Sequence, residues 1–433
     1  MNKKGLILSL IISGMTLGTA WAVRGKFGHE QGAAWAGAIG ALVILLLARK
    51  EGWYARFFKA VLASAIGWGL GGMMSYGKVV GYGRGVDFGN VFYGFLMLFV
   101  IGGLHGFLGG GLFGLTLTDT QKNRVNWPLM FTGMVAAGIA TYFFVIMQLE
   151  WLMTPPRSEA WAVCLGMAFF LLWFLIRHQY TAATRVAFLA GLGGGFGFAF
   201  GNFLQVMGNV AEIQFSMWNV MEYSIGFFGG VGMAYGTFTS TWEETVPAQR
   251  KSSNLIPMLL IVLFIPFVVW DQSFTMEKLL KTYIEIFPEN GSAIASIIQV
   301  IAISLIIVTA GFVWLKYYSL KKASEIRYSR AEVHSFFVIL FALYIVFSFL
   351  RTGAYVKSGM LEHYLYLVNF FVIIVALPKL RPVFEPKGLQ TLQWSRVFLL
   401  SVAILALLAY IAINTHEDMP GMQKRFDFFS GSK

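Results

Sequence analysis

At 433 residues, with 57% apolar and only 12% charged residues, the chain falls far from a soluble domain, in which about a quarter of residues are charged. Its apolar residues gather in blocks of about 20, the length of a bilayer-crossing helix. The formal net charge of +12 would suit nucleic acid, but Lys and Arg mark alternate loops instead of forming one basic stripe, which argues for a topology signal and against that partner.

The expected fold is an all-α polytopic membrane protein of about thirteen transmembrane helices. Spans are expected at 5–23, 31–48, 57–76 and 91–117, then at 127–148, 159–176, 186–205 and 217–239. After a linker they resume at 254–271, 292–315, 333–350, 362–378 and 394–413. The first span mimics a signal peptide, with Lys3 and Lys4, an apolar run and Ala20-Trp21-Ala22; it is read as a retained signal anchor.

Glycine divides the chain. Residues 1–242 hold most of the 48 glycines and are expected to form a glycine-rich transmembrane bundle; residues 254–413 are rich in Ile, Leu, Val and Phe and are expected to form a C-terminal scaffold, followed by an external tail at 414–433. Within the first part, 57–120 and 186–241 read as repeats. Gly67, Gly69 and Gly71 fall on Gly193, Gly195 and Gly197, and Gly106-Phe107-Leu108-Gly109-Gly110 matches Gly226-Phe227-Phe228-Gly229-Gly230. A weaker third copy surrounds Gly18–Lys26. Glycine weakens helices in water but lets them approach closely in lipid. All copies run in the same direction, so the repeats are parallel, unlike the inverted repeats of many transporters.

With alternate loops assigned to opposite sides, 21 of the 33 Lys and Arg lie on the N-terminal side, against 7 of the 21 carboxylates. The positive-inside rule then expects a bacterial-type inner (plasma) membrane location with a cytoplasmic N-terminus and an external C-terminus.

The outer loops of the glycine-rich part are short and polar. The first carries Arg24, Lys26, His29 and Glu30, the second Lys78 and Arg84, the third Asn202, Gln205 and Asn209, and Glu222 follows inside the next span. Separately these have plain explanations: Gly25, Gly77 and Gly201 as helix C-caps, and the cations as dipole partners that snorkel to the interface. Together, within loops too short to need them, they are read as one outward-facing site, because ionisable groups at membrane depth are costly. Arg24, Lys26, Lys78, Arg84, Asn202, Gln205 and Asn209 are the expected anion-binding groups. His29, Glu30 and Glu222 are the expected proton-handling or catalytic groups. His105, mid-span between glycines, is a buried neutral histidine or a relay.

No metal site and no cofactor are expected. The single cysteine, Cys164, lies in a span; His29-Glu30 lacks the His-Glu-x-x-His spacing; and neither a P-loop nor a Gly-x-Ser-x-Gly elbow occurs. The expected function is transport of a small organic anion, such as a sugar acid, with proton coupling. The alternative is an integral-membrane transferase or hydrolase with a periplasm-facing site, acting on a lipid-linked or periplasmic substrate. The partners expected are membrane lipid and that solute or substrate; no oligomeric state follows from the residues.

Overall fold

A computed structural model describes residues 3–27, 29–120, 123–243, 249–250, 252–321, 325–387 and 391–426. The glycine-rich part contains α1 (Lys3–Arg24), α2 (His29–Ala48), the short α3 (Glu51–Tyr54), α4 (Phe57–Gly72), the short α5 (Gly77–Tyr82) and α6 (Phe88–Thr118). It continues with α7 (Trp127–Tyr142), which runs on in π-type geometry over Phe143–Gln148, then α8 (Ala160–Arg177), α9 (Thr181–Val210) and α10 (Met217–Phe238). Next come α11 (Ser252–Leu259), α12 (Ile265–Ser273), α13 (Met276–Ile286), α14 (Gly291–Trp314), α15 (Arg330–Thr352), α16 (Leu361–Ala376) and α17 (Thr391–Ile413). The only β-pairing among the described residues is a two-residue antiparallel ladder, Gln249–Arg250 with Glu325–Ile326.

Ten helices among the described residues are long and apolar enough to cross a membrane: α1, α2, α6, α7, α8, α9, the continuous α11–α12 segment, α14, α15 and α17. The chain thus has the make-up of a multi-pass membrane protein. Three more expected spans are helical but fall outside that set. α4 and α16 are apolar but only 16 residues long, and α10, at 22 residues, is diluted by Asn219, Glu222 and its glycines. The amphipathic α13, which buries Leu279 and Tyr283 and exposes Glu277 and Lys278, lies where the sequence reading expected only a loop.

Helix starts follow local chemistry. Asp87 caps α6 by accepting from Asn90 N at 2.8 Å, and Ser216 caps α10 through Asn219 N. Ser329 and Glu332 form a capping box at α15. Gly353 ends α15 at φ +66°, the left-handed conformation that glycine adopts without strain.

The central feature is a closed ring of six helices. α1 packs on α2, α2 on α4, α4 on α6, α6 on α9, α9 on α10, and α10 returns to α1. Backbones touch at the α4–α6, α6–α9, α9–α10 and α10–α1 seams. A Cβ on Gly106 would lie 2.0 Å from Ala190 O, one on Gly193 2.1 Å from Phe228 O, and one on Gly226 2.4 Å from Leu17 O. No side chain larger than hydrogen fits at such distances, so glycine is what lets the ring close. Its centre is filled by Trp68 of α4. Glycines from three other helices, Gly37, Gly109 and Gly229, lie so near that added Cβ atoms would come within 2.7, 2.3 and 2.8 Å of the indole. Trp21 of α1 meets it edge-on at 5.0 Å.

Around the ring, the α7–α8 hairpin packs on α6, and α12, α15 and α16 cover α1 and α2. Residues 254–413, expected as one C-terminal bundle, divide: α17 packs on α6 and α9 through Leu405, Leu408 and Ala412. Exposed apolar side chains such as Ile139, Phe144, Phe169, Val308, Phe371 and Leu399 form the periphery. The tail is held to the segment between α4 and α6. Met419 N donates to Arg84 O, Gln423 N to Gly81 O and Phe426 N to Asn90 Oδ1; residues 427–433 of the expected tail lie outside the described residues, as do 244–248 and 251 of the linker.

Candidate functional site

α1 ends at Arg24, α4 leads into Tyr76, and α10 carries Glu222 one turn in from its start. The ring brings these three together. Arg24 Nη1 donates to Glu222 Oε2 at 2.8 Å and to Tyr76 Oη at 3.0 Å, and Tyr76 Oη donates to Glu222 Oε1 at 2.6 Å. Arg24 and Glu222 are 2% and 1% exposed, so this ion pair is removed from solvent. Burying two charges costs several kcal/mol per ion, about as much as close pairing and added hydrogen bonds return. Tyr76 adds such bonds on both sides, donating to Glu222 and accepting from both Nη1 and Nη2 of Arg24. The guanidinium also lies over Trp21, 4.9 Å from the ring centroid.

A second layer surrounds the triad. Asn219, one turn before Glu222, donates to Ala22 O at 3.4 Å and to the Tyr366 hydroxyl of α16. Lys26 pairs with Glu362 at 3.1 Å, and Glu362 is followed by His363, whose Nε2 lies 3.0 Å from Thr352 Oγ1. Tyr344 of α15 donates to Gly32 O at 2.8 Å and stacks on Trp35. Below the triad, Trp21 meets His105 edge-on at 5.3 Å, and His105 Nδ1 sits 2.8 Å from Ile101 O, one turn back on its own helix. The last contact matches the buried-histidine reading.

The three polar segments expected to share one side meet. Arg24 reaches Tyr76, beside the second loop, and Glu222, beyond the third. Gly83 of the second loop abuts Asn202, whose Oδ1 would be 2.5 Å from an added Cβ. Asn202 is buried and donates to Gln205 Oε1 at 3.1 Å, leaving its own Oδ1 without a partner among the described residues. The expected cations are engaged differently from a row facing one anion: Arg24 is taken by Glu222, Lys26 by Glu362, and Arg84 donates to Pro420 O of the tail at 3.1 Å. Lys78 is half-buried and Asn209 exposed. Glu30 lies apart from the triad, lining an apolar cavity between α2, α4 and the continuous α11–α12 segment. His29 opens α2, but its side chain lies outside the described residues.

Tyr76, Asn219, Glu362 and Tyr366 were missed by the sequence reading. Glu362-His363 opening an apolar run was a usable signal, since two ionisable groups side by side at the head of a span call for partners. A tyrosine at the end of a span has no such mark, because the interfacial belt is full of them. Among the described residues, no three His, Cys, Asp or Glu side chains cluster as a metal site. Comparison with known protein families, curated proteins and solved structures returned no match.

Proposed function

We propose that the protein is a proton-coupled transporter of a small organic anion, such as a sugar acid, with Arg24, Glu222 and Tyr76 as its central site. The carrying observation is the solvent-excluded Arg24–Glu222 pair, bridged by Tyr76. A charge pair of this kind stores a choice. Protonating Glu222 removes the partner of Arg24, and the guanidinium then takes the carboxylate of an entering anion in a bidentate fork. Deprotonation restores the pair and expels the anion. Arg24 and Glu222 come from α1 and α10 of the ring, and Tyr76 from the segment that follows α4, so relative motion of those helices alters the site. In this reading all thirteen helical segments span a bacterial inner membrane, the N-terminus is cytoplasmic, the C-terminus external, and the three glycine-rich hairpins of the ring are repeats of one unit.

The test is uptake into proteoliposomes of radiolabelled gluconate, glucuronate and lactate, with and without an inward proton gradient. Wild-type protein is expected to accumulate at least one of them when the gradient is imposed. Glu222→Gln is expected to retain exchange but lose gradient-driven accumulation, and Arg24→Ala to lose both. Wild-type protein that moves none of the three, or Arg24→Ala protein that moves them as well as wild type, overturns the reading.

A further inference from the structure

At the opposite end of α4 lies a second buried cation that the triad does not use. Arg56 precedes the first residue of α4 and is 2% exposed. Its Nη1 donates to Thr116 O at 2.9 Å and to Asp119 O, both main-chain carbonyls. Its Nε and Nη2 are buried without a hydrogen-bond partner among the described residues. The nearest acid, Asp119, spends its carboxylate on Val125 N and Trp127 Nε1. Burial pulls the Arg56 pKa down to about 10, against the opposing field of Asp119. A guanidinium with two buried, unused donors and no paired carboxylate is a costly object unless an anion joins it.

The surroundings say which kind of anion. Arg56 lines a cavity of about 390 Å³ together with Lys59, Arg124 and Asp119, three cations to one carboxylate. The remaining wall, apart from Thr116, is largely apolar and includes Leu62, Ile66 and Phe131. Leu62 and Ile66 also line the next cavity along α4, about 300 Å³ and almost wholly apolar, which continues past Leu70 to Glu30. Leu62, Ile66 and Leu70 stand four residues apart, so they form one stripe on one helix face. A soluble anion would use the cationic end and leave the stripe unexplained. A lipid uses both. The N-terminus of α4 adds its own positive field at the cationic end.

We propose that this groove holds an anionic phospholipid, its phosphate on Arg56, Lys59 and Arg124 and an acyl chain along Leu62, Ile66 and Leu70. Arg56 supplies buried positive charge at the cationic end, and Lys59 and Arg124 line the cavity beside it. The site is separate from the Arg24 triad and does not depend on what that triad transports.

Native mass spectrometry of the full-length detergent-solubilised protein tests it, titrating phosphatidylglycerol, phosphatidylcholine or inorganic phosphate. Phosphatidylglycerol is expected to bind in preference to phosphatidylcholine, and inorganic phosphate is expected not to displace it. Arg124 is exposed, so Arg124→Gln leaves the fold intact; it is expected to weaken phosphatidylglycerol about fivefold, the effect of roughly 1 kcal/mol per cation. Arg56→Gln is expected to weaken it further. Ile66→Trp, which fills the apolar end, is expected to abolish lipid retention. Equal binding of the two lipids, or unchanged affinity in both Arg124→Gln and Ile66→Trp, overturns the proposal. Displacement by inorganic phosphate together with an unaffected Ile66→Trp makes this a soluble-anion site and also overturns it.

Discussion

Glu222 and Arg24 are 198 residues apart in the chain and 2.8 Å apart in space. Glu222 was visible in the sequence as a charge inside a span, which is costly enough to single out with no alignment, and Arg24 as one of the ionisable groups crowded into the first loop. Their partnership was not visible, because hydropathy says that a charge needs a partner and not which one. Removing one member leaves the other buried and uncompensated. Glu222→Ala is therefore expected to destabilise the solubilised protein by about 3–5 kcal/mol, read as a lowered thermal midpoint in detergent. The Arg24→Leu, Glu222→Ala double variant is expected to lose less than the sum of the two singles. Strict additivity would show that the two side chains do not depend on each other. Lys26 and Glu362, at 3.1 Å but with Lys26 21% exposed, are expected to couple more weakly, since water reaches the pair.

Among the elements, the glycines are the clearest case of sequence announcing structure. Their regular recurrence in helices of membrane length pointed to close packing, and the ring seams run through them. Which glycines matter is decided by neighbours. Gly103 and Gly106 sit three residues apart on α6; an added Cβ would be 3.7 Å from Gly191 O at the first and 2.0 Å from Ala190 O at the second. Gly106→Ala is expected to force α6 from α9 and to cost about 1–3 kcal/mol, whereas Gly103→Ala should be neutral or slightly stabilising through helix propensity. Thermal unfolding of the two variants side by side checks this, and equal midpoints would mean that the seam is not rigid. Hydropathy also located the long apolar helices, yet it overlooked α13, since a short amphipathic helix offers too few turns to stand out from a polar loop.

For the whole molecule, contacts between loops fall into two sets. Arg49 reaches Pro378 O, Thr120 reaches Glu243, and Glu385 N reaches Phe238 O; in the other set Lys26 meets Glu362, Arg84 meets Pro420, and Lys357 meets Glu285. Alternating spans require this segregation. Its absolute direction is a separate matter that rests on the charge count. A cysteine introduced at the exposed Thr415, in a Cys164→Ala background, is expected to react with a membrane-impermeant maleimide in intact cells, and one at the exposed Gln179 only after lysis. The reverse pattern would invert the assignment.

The sequence by itself determined that the chain is helical and membrane-bound, where most apolar helices lie, and that Arg24 and Glu222 are costly residues. These follow from local quantities: run length, charge and glycine content. Only the tertiary structure decided that six of the helices close into a ring, that Trp68 fills its centre, that α17 leaves the other C-terminal helices for α6 and α9, and that Glu362 takes Lys26. Lipid is as apolar as the helices it surrounds, so burial of apolar surface does not select one helix neighbour over another. Backbone approach and the matching of a few polar groups make that selection, and both depend on residues far apart in the chain.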